Sequence, residues 1–237
     1  MSTSDRPVMM LSGGNRGIGF CIAQAAQARG WHVSLGLRDP SVLPHGLDPQ
    51  LTDLHAYDAT SRSAEAKWVD ATVARHGRID TIVANAGLFT DTSIIDAEEG
   101  EVDTLLEINL RAPRRLAKAA WPMLRACGCG RVAILGSLSG KRVASKGSAL
   151  YSVSKFAAIG LAHALRLEGW DDGIRATAFC PGLVATEMGA TAAGDAVATK
   201  EMTQPDEIAH LVLEIIGLSN SASIAEMHIN WRTDGIF

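Results

Sequence analysis

The sequence predicts a single-domain α/β fold, a doubly wound parallel sheet with helices on both faces. Three observations predict it. Apolar runs of strand length alternate with segments of helical periodicity along the chain, the pattern of a parallel sheet covered on both sides. The first run, Val8–Ser12, passes directly into a glycine cluster and then a helix. Later runs stop at Asn85-Ala86-Gly87, Gly136-Ser137 and Pro181-Gly182, where the backbone must turn. No repeat, low-complexity segment or interior linker divides the 237 residues, and that length suffices for one full core.

Taken in order, Val8–Ser12 is a first strand, followed by Gly13-Gly14-Asn15-Arg16-Gly17-Ile18-Gly19. The stripe Ile18, Cys21, Ile22, Ala25, Ala26 predicts a helix closed near Arg29-Gly30. Strand, glycine turn and helix are the context of a dinucleotide site. Glycines let the backbone approach a pyrophosphate, and the helix N-terminus aims N–H groups at it. Trp31–Leu37 reads as a second strand ending at Arg38-Asp39, and Leu54–Asp58 as a third. Thr60 or Ser61 caps a helix striped by Trp68, Val69, Thr72 and Val73 and closed by His76-Gly77. Ile79–Ala84 is a buried strand. A long helical segment from about Glu99 to Ala126 should be kinked or broken by Pro113 and Pro122. Arg131–Leu135 is a fifth strand, a helix runs from Tyr151 to about Leu167, and Ile174–Phe179 is a sixth strand. Residues 183–203, rich in Ala, Gly and Thr, read as a loop or weak helix. Asp206–Leu218 and Ser223–Ile229 close the fold as helix and strand.

Composition excludes several function classes. A net charge of −4 gives no electrostatic case for nucleic acid or an anionic membrane surface. No apolar run approaches the ~20 residues that span a bilayer. Met1–Pro7 is short and polar, without the apolar core of a signal peptide, so the expected location is cytoplasmic. Of the four cysteines, Cys127-Gly128-Cys129 has the look of a metal half-site, but no second Cys/His pair accompanies it and no metal is expected.

The chemistry concentrates between Ser137 and Lys155. Tyr151 and Lys155 lie one helical turn apart on one face. An ammonium at that spacing predicts a lowered phenol pKa, and a hydroxyl from Ser137 would share a substrate oxygen with Tyr151. Such a trio suits a carbonyl becoming an alcohol. A Tyr/Lys pair at this spacing also fits a solvent-facing helix; the glycine turn at the other end of the chain is what favours chemistry.

Gly13-x-x-x-Gly17-x-Gly19, Asp58, Asn85-Ala86-Gly87, Asn109, Ser137, Tyr151-x-x-x-Lys155 and Pro181-Gly182 follow the order and spacing of a known family. Over nearly its whole length the chain resembles the short-chain dehydrogenase/reductase family, which implies a Rossmann-like fold. It further implies a dinucleotide-binding half over 7–87, a catalytic half over 99–182, a substrate lid over 183–203 and a C-terminal helix and strand over 204–237. Tyr151 would be the acid/base, Ser137 would polarise the carbonyl, and Lys155 would bind the nicotinamide ribose. Asn109 would anchor a water in a proton relay. The implied cofactor contacts are Gly13, Asn15, Arg16, Gly17, Ile18, Gly19, Arg38, Asp58, Ala59, Asn85, Ala86, Gly87, Pro181, Gly182, Val184 and Thr186, with Tyr151 and Lys155. Ser12 stands where the family often carries Thr, and Ser139 could compete with Ser137. The ending Asn230-Trp231-Arg232-Thr233-Asp234-Gly235 departs from the common one.

Arg38 points to NADP(H) over NAD(H), because a guanidinium fork suits a 2′-phosphate where an Asp or Glu would repel it. Arg16 adds a second positive charge. Asp39 opposes this, either by pairing with Arg38 or as the ribose ligand if the strand ends later. The substrate expected is a small carbonyl or alcohol. A 3-oxoacyl-carrier-protein reductase and an NAD-dependent alcohol dehydrogenase are alternatives within the family, and a non-catalytic dinucleotide sensor is one outside it. Lys141, Arg142 and Lys146 could dock a substrate anion or belong to a solvated loop. Apolar residues around Leu105–Leu116 and Phe156–Leu165 suggest a homodimer or homotetramer, or else ordinary core stripes.

Overall fold

The computed structural model describes residues 6–233. Seven parallel strands form one sheet in the order β3-β2-β1-β4-β5-β6-β7. They are β1 (Val8–Ser12), β2 (His32–Leu37), β3 (Thr52–Ala56), β4 (Thr81–Ala84), β5 (Arg131–Leu135), β6 (Arg175–Pro181) and β7 (Glu226–Ile229). The helices are α1 (Gly17–Ala28), α2 (Ala64–His76), α3 (Glu99–Leu106), α4 (Ala112–Ala126), α5 (Ala149–Glu168), α6 (Glu187–Ala193) and α7 (Pro205–Ile216).

Strand alternation sorts the core into two layers. Met9, Leu11, Val33, Leu35, Val83 and Phe179 pack on one face with Ile22 and Ala26 of α1 and Ile208, Val212 and Ile216 of α7. Met10, Ile82, Val132, Ile134 and Ala178 pack on the other with Trp68 of α2, Leu116 and Leu124 of α4, and Ile159 and Leu165 of α5. Trp68 needs the bare backbone of Gly36, where a methyl group would meet its ring at 2.6 Å. Its indole N–H donates to Ser34 Oγ at 2.9 Å, so the one polar atom of this buried ring is satisfied.

Several boundaries shift for local reasons. The α2 helix begins after Ser63 rather than Thr60 or Ser61. The Asp58 carboxylate instead takes the Thr60 N–H at 2.9 Å and the Thr60 hydroxyl at 2.8 Å, folding these residues into a turn. β3 ends at Ala56, two residues before Asp58. β4 starts at Thr81 because Asp80 turns aside to accept the Val8 N–H at 2.8 Å and to pair with Arg78. The long helix after residue 99 is broken by a π turn, Glu107–Arg111, and not by the prolines as such. Pro113 sits in the first turn of α4, while α4 runs through Pro122. Proline has no N–H, so Pro113 cannot bond the carbonyl of Asn109 four residues back; the widened turn falls at that gap. Residues 183–203 hold α6 and two short 3₁₀ turns rather than an open loop.

Candidate active site

Strand order reverses between β1 and β4, and the crevice beyond their carboxyl ends is where doubly wound sheets bind ligands. Ser12, the last residue of β1, spends its hydroxyl there, accepting the N–H groups of Asn85 at 3.1 Å and Ala86 at 3.0 Å. Asn85 Nδ2 returns two bonds, to Ser12 O at 3.0 Å and Gly13 O at 2.9 Å. The two loops of the crevice are thereby sewn together, and Asn85 acts within the wall. Gly13 has φ +72, a left-handed conformation that favours glycine. A methyl group on Gly19 would lie 2.3 Å from the Gly13 carbonyl oxygen, so no other residue lets α1 start this close. Arg16 occupies the α1 cap position in extended conformation with no side-chain cap, leaving the first-turn N–H groups facing the crevice. Glycine cradle and uncapped helix N-terminus fit a pyrophosphate.

Arg16 itself is in an ion pair with Glu187 at the start of α6, both side chains being exposed. Thr186 caps α6, accepting the Gly189 N–H at 3.1 Å, and its methyl carbon is 3.1 Å from where Gly17 would carry a Cβ. Val184 is buried and bridged to Thr203. The 183–203 segment therefore rests directly on the glycine turn.

At the other side, Leu37 pairs with Ala56, so β2 ends at Leu37 and exposed Arg38 follows. The Asp39 carboxylate accepts the Ser41 N–H at 2.9 Å, and no ion pair joins it to Arg38 among the described residues. Arg38 instead contributes to holding the Asp58 carboxyl below its ordinary value, after the two Thr60 hydrogen bonds. Ala59 is buried and its carbonyl accepts Arg115 Nη2 at 2.7 Å.

The catalytic candidates converge at the end of β5. Tyr151 and Lys155 open α5, both buried. Lys155 Nζ lies 5.7 Å from the centroid of the Tyr151 ring and donates to Leu135 O at 2.7 Å. Ser137 is hydrogen-bonded to Tyr151 and also accepts the Ser139 N–H at 3.1 Å. Ser139 belongs to the 3₁₀ turn Leu138–Gly140, so Ser137 is the serine beside the phenol. Burial pushes the phenol up to about 12, and the Ser137 bond opposes this. The lowering expected from Lys155 does not occur: the phenol is raised, and the same desolvation brings the Lys155 ammonium down to about 8.

Asn109 is buried in the π turn. Its Oδ1 accepts the Leu88 N–H at 2.8 Å, and its Nδ2 donates to Leu88 O and Ser154 Oγ, both at 2.9 Å. Ser154 in turn donates to Tyr151 O at 2.7 Å. The Asn109 side chain thus ties the loop after β4 to α5. A methyl group on Gly87 would lie 3.4 Å from Asn109 Oδ1 and 3.6 Å from Lys155 Nζ, so Gly87 keeps that corner open. Pro181 ends β6, and Gly182 donates to Ile229 O at 2.8 Å. A Cβ on Gly182 would be 3.1 Å from Trp231 Cδ1 and 3.2 Å from Leu138 Cδ1, placing Trp231 near the Leu138–Gly140 turn. Asp234 and Gly235 lie outside the described residues.

Three residues had no role in the sequence reading. Phe89 meets the Tyr151 ring edge-on at 5.1 Å and follows the Asn85-Ala86-Gly87 corner with no signal of its own. Ser154 was visible only as a hydroxyl three residues after Tyr151. Ser12 was visible as a hydroxyl at a strand end. Lys141 is drawn away toward β7, its Nζ 2.9 Å from Glu226, whereas Arg142 is half-buried and Lys146 exposed. Cys180, Glu226 and His228 bring ligand atoms within 4.8 Å of one another, but Lys141 and His163 already hold the carboxylate.

The comparisons with known proteins agree with this geometry. The short chain dehydrogenase family profile matches residues 7–196. An agropine synthesis reductase from Rhizobium rhizogenes is 37% identical over 97% of this chain but 54% of its own length, so the chain spans about half of that relative. The acetoacetyl-CoA reductase of Shinella zoogloeoides is 28% identical over 87% of this chain and 89% of its own. The solved structure of a substituted actinorhodin polyketide ketoreductase with NADPH superposes with a TM-score of 0.85 at 28% identity, covering 97% of each chain. Profile, fold and crevice agree: the chain belongs to the short-chain dehydrogenase/reductase family.

Proposed function

We propose that the chain is an NADP(H)-dependent reductase that interconverts a small aldehyde or ketone with its alcohol, Tyr151 serving as the acid/base. The observation that carries this reading is the buried Tyr151 phenol, hydrogen-bonded to Ser137, with Lys155 Nζ 5.7 Å from its ring beside the strand-order reversal. The bound dinucleotide would supply the hydride. Residues of the glycine turn would hold its pyrophosphate on the N–H groups of Gly17, Ile18 and Gly19. Exposed Arg38 would take the 2′-phosphate in its fork, as the NADPH-bound ketoreductase relative encourages. Lys155 would exchange its bond to Leu135 O for ribose hydroxyls, with Gly87 leaving the room.

With its phenol pushed up to about 12, Tyr151 is protonated at neutral pH and poised to give its proton to a carbonyl oxygen polarised by Ser137. Asn109 acts here as a positioning residue, because its side chain is fully engaged with Leu88 and Ser154. A 3-oxoacyl thioester is a second substrate reading, favoured by the acetoacetyl-CoA reductase that matches nearly end to end. Nucleotide oxidation against a panel of aldehydes, ketones and acetoacetyl thioesters, with NADPH and NADH in parallel, decides among these. Turnover with NADPH on the panel supports the proposal. Tight nucleotide binding with no turnover would instead make the chain a dinucleotide sensor.

A further inference from the structure

The turn joining α4 to β5 carries Cys127 and Cys129 on either side of Gly128. It lies at the start of β5, and the length of that strand, roughly 17 Å at the usual strand rise, separates it from the Ser137 end. Gly128 has φ +66, and this left-handed residue folds the chain back on itself. The two cysteines are brought side by side as a result, near enough that Cys129 acts on the ionisation of Cys127. Cys127 also donates its S–H to Leu124 O at 3.2 Å.

The surroundings hold this turn in place and distinguish its two thiols. Asn220 Nδ2 donates to Gly128 O at 2.8 Å, and Arg131 Nη1 donates to Cys129 O at 2.9 Å and to Asn220 Oδ1 at 2.9 Å. Guanidinium charges of Arg78 and Arg131 act on both sulfurs, while the Asp80 carboxylate opposes ionisation of Cys127. Cys129 is exposed and Cys127 half-buried, with burial pushing the Cys127 thiol up to about 11. The exposed thiol is the accessible nucleophile, and a shielded thiol beside it suits a resolving partner. The remaining cysteines lie elsewhere, Cys21 on α1 and Cys180 fully buried in β6.

We propose that Cys127 and Cys129 form a redox modification site that closes to an intrachain disulfide when it meets a small disulfide oxidant of the glutathione type. The Cys129 thiolate attacks one sulfur of the oxidant, forming a mixed disulfide and expelling one thiolate. Cys127 then loses its proton and attacks the Cys129 sulfur, expelling the second. Two protein thiols are oxidised and one oxidant disulfide is reduced to two thiols, so atoms and electrons balance. Only one residue separates the cysteines, so the ring is small and the bond readily reduced again.

The test uses the whole chain, reduced, exposed to oxidised glutathione and quenched with an alkylating agent before intact-mass and peptide analysis. The proposal predicts a loss of two hydrogen masses, joint protection of Cys127 and Cys129 from alkylation, and full reversal by dithiothreitol. Cys127→Ser should convert the product into a stable glutathione adduct at Cys129, and Cys129→Ser should abolish reaction at this turn. Three results on the unsubstituted chain would overturn it. They are a lasting glutathione adduct at Cys129, both thiols remaining alkylatable, or a disulfide joining two chains.

Discussion

Tyr151 sits between Ser137 and Phe89 in a setting that disfavours its anion. The only other tyrosine, Tyr57, is also raised, first by burial and then by the nearby Glu65. At pH 10.0, the ordinary phenol value, both should therefore remain protonated in the folded chain. Ultraviolet titration should show little tyrosinate at that pH; half-ionisation of one residue in a chain still folded would contradict the desolvation account. Arg38 makes the second prediction at this scale. If its fork takes the 2′-phosphate, Arg38→Ala should raise KM for NADPH by about tenfold or more, consistent with a charged hydrogen bond of 1.5–3 kcal/mol, and leave KM for NADH nearly unchanged. Equal shifts for the two cofactors would sink that role. Tyr151, Lys155 and Ser137 were legible because their types and spacing imply a chemistry. Phe89 was not, because an apolar residue after a glycine corner carries no such mark, and the direction of the Tyr151 shift depends on burial that spacing does not show.

Elements place these residues through a few polar ties. The sequence predicts a break in the long helix at its prolines, and the structure puts it at a π turn centred on Asn109. Proline chemistry was readable, but its consequence four residues upstream depends on what Asn109 then bonds. β7 shows a similar limit. Glu226, at its start, holds Lys141 just after the Leu138–Gly140 turn and also meets His163 and His228. These partners come from α5, β7 and the 138–141 turn, and no sequence spacing announces them. They hold the Glu226 carboxyl at about 2 against an ordinary 4.5; burial acts in the opposite direction and loses. A folded pKa below the unfolded one gives stability that is present above pH 4.5 and lost as pH falls toward 2. Glu226→Gln should therefore destabilise the chain at pH 7 by about 1–3 kcal/mol, with the gap closing on acidification through that window. Denaturant melts at several pH values would show it; a gap independent of pH would refute the ion-pair account.

At the scale of the whole molecule, the doubly wound fold class was legible because it needs only alternating elements and two-sided burial. Assembly was not, because core and interface stripes look alike in sequence. Leu105 and Leu116 are fully buried within the chain itself. Val153 and Phe156, three residues apart on α5, are 48% and 45% exposed, and Gly160 one turn on faces open space. That stripe supports a homodimer or homotetramer built on α5. Light scattering at micromolar concentration should give a mass above the monomer, and Phe156→Glu should reduce it. A monomeric mass for the unsubstituted chain would overturn the assembly proposal.

The central claim is that Tyr151 delivers the proton in carbonyl reduction. Tyr151→Phe tests it most directly, because the substitution removes one hydroxyl and leaves the ring packed against Phe89. With a carbonyl that the unsubstituted chain turns over, kcat should fall by about 10²–10⁴ while the dissociation constant for NADPH, measured by fluorescence titration, stays within about twofold. A variant that binds NADPH equally well and turns over at the original rate would contradict the account.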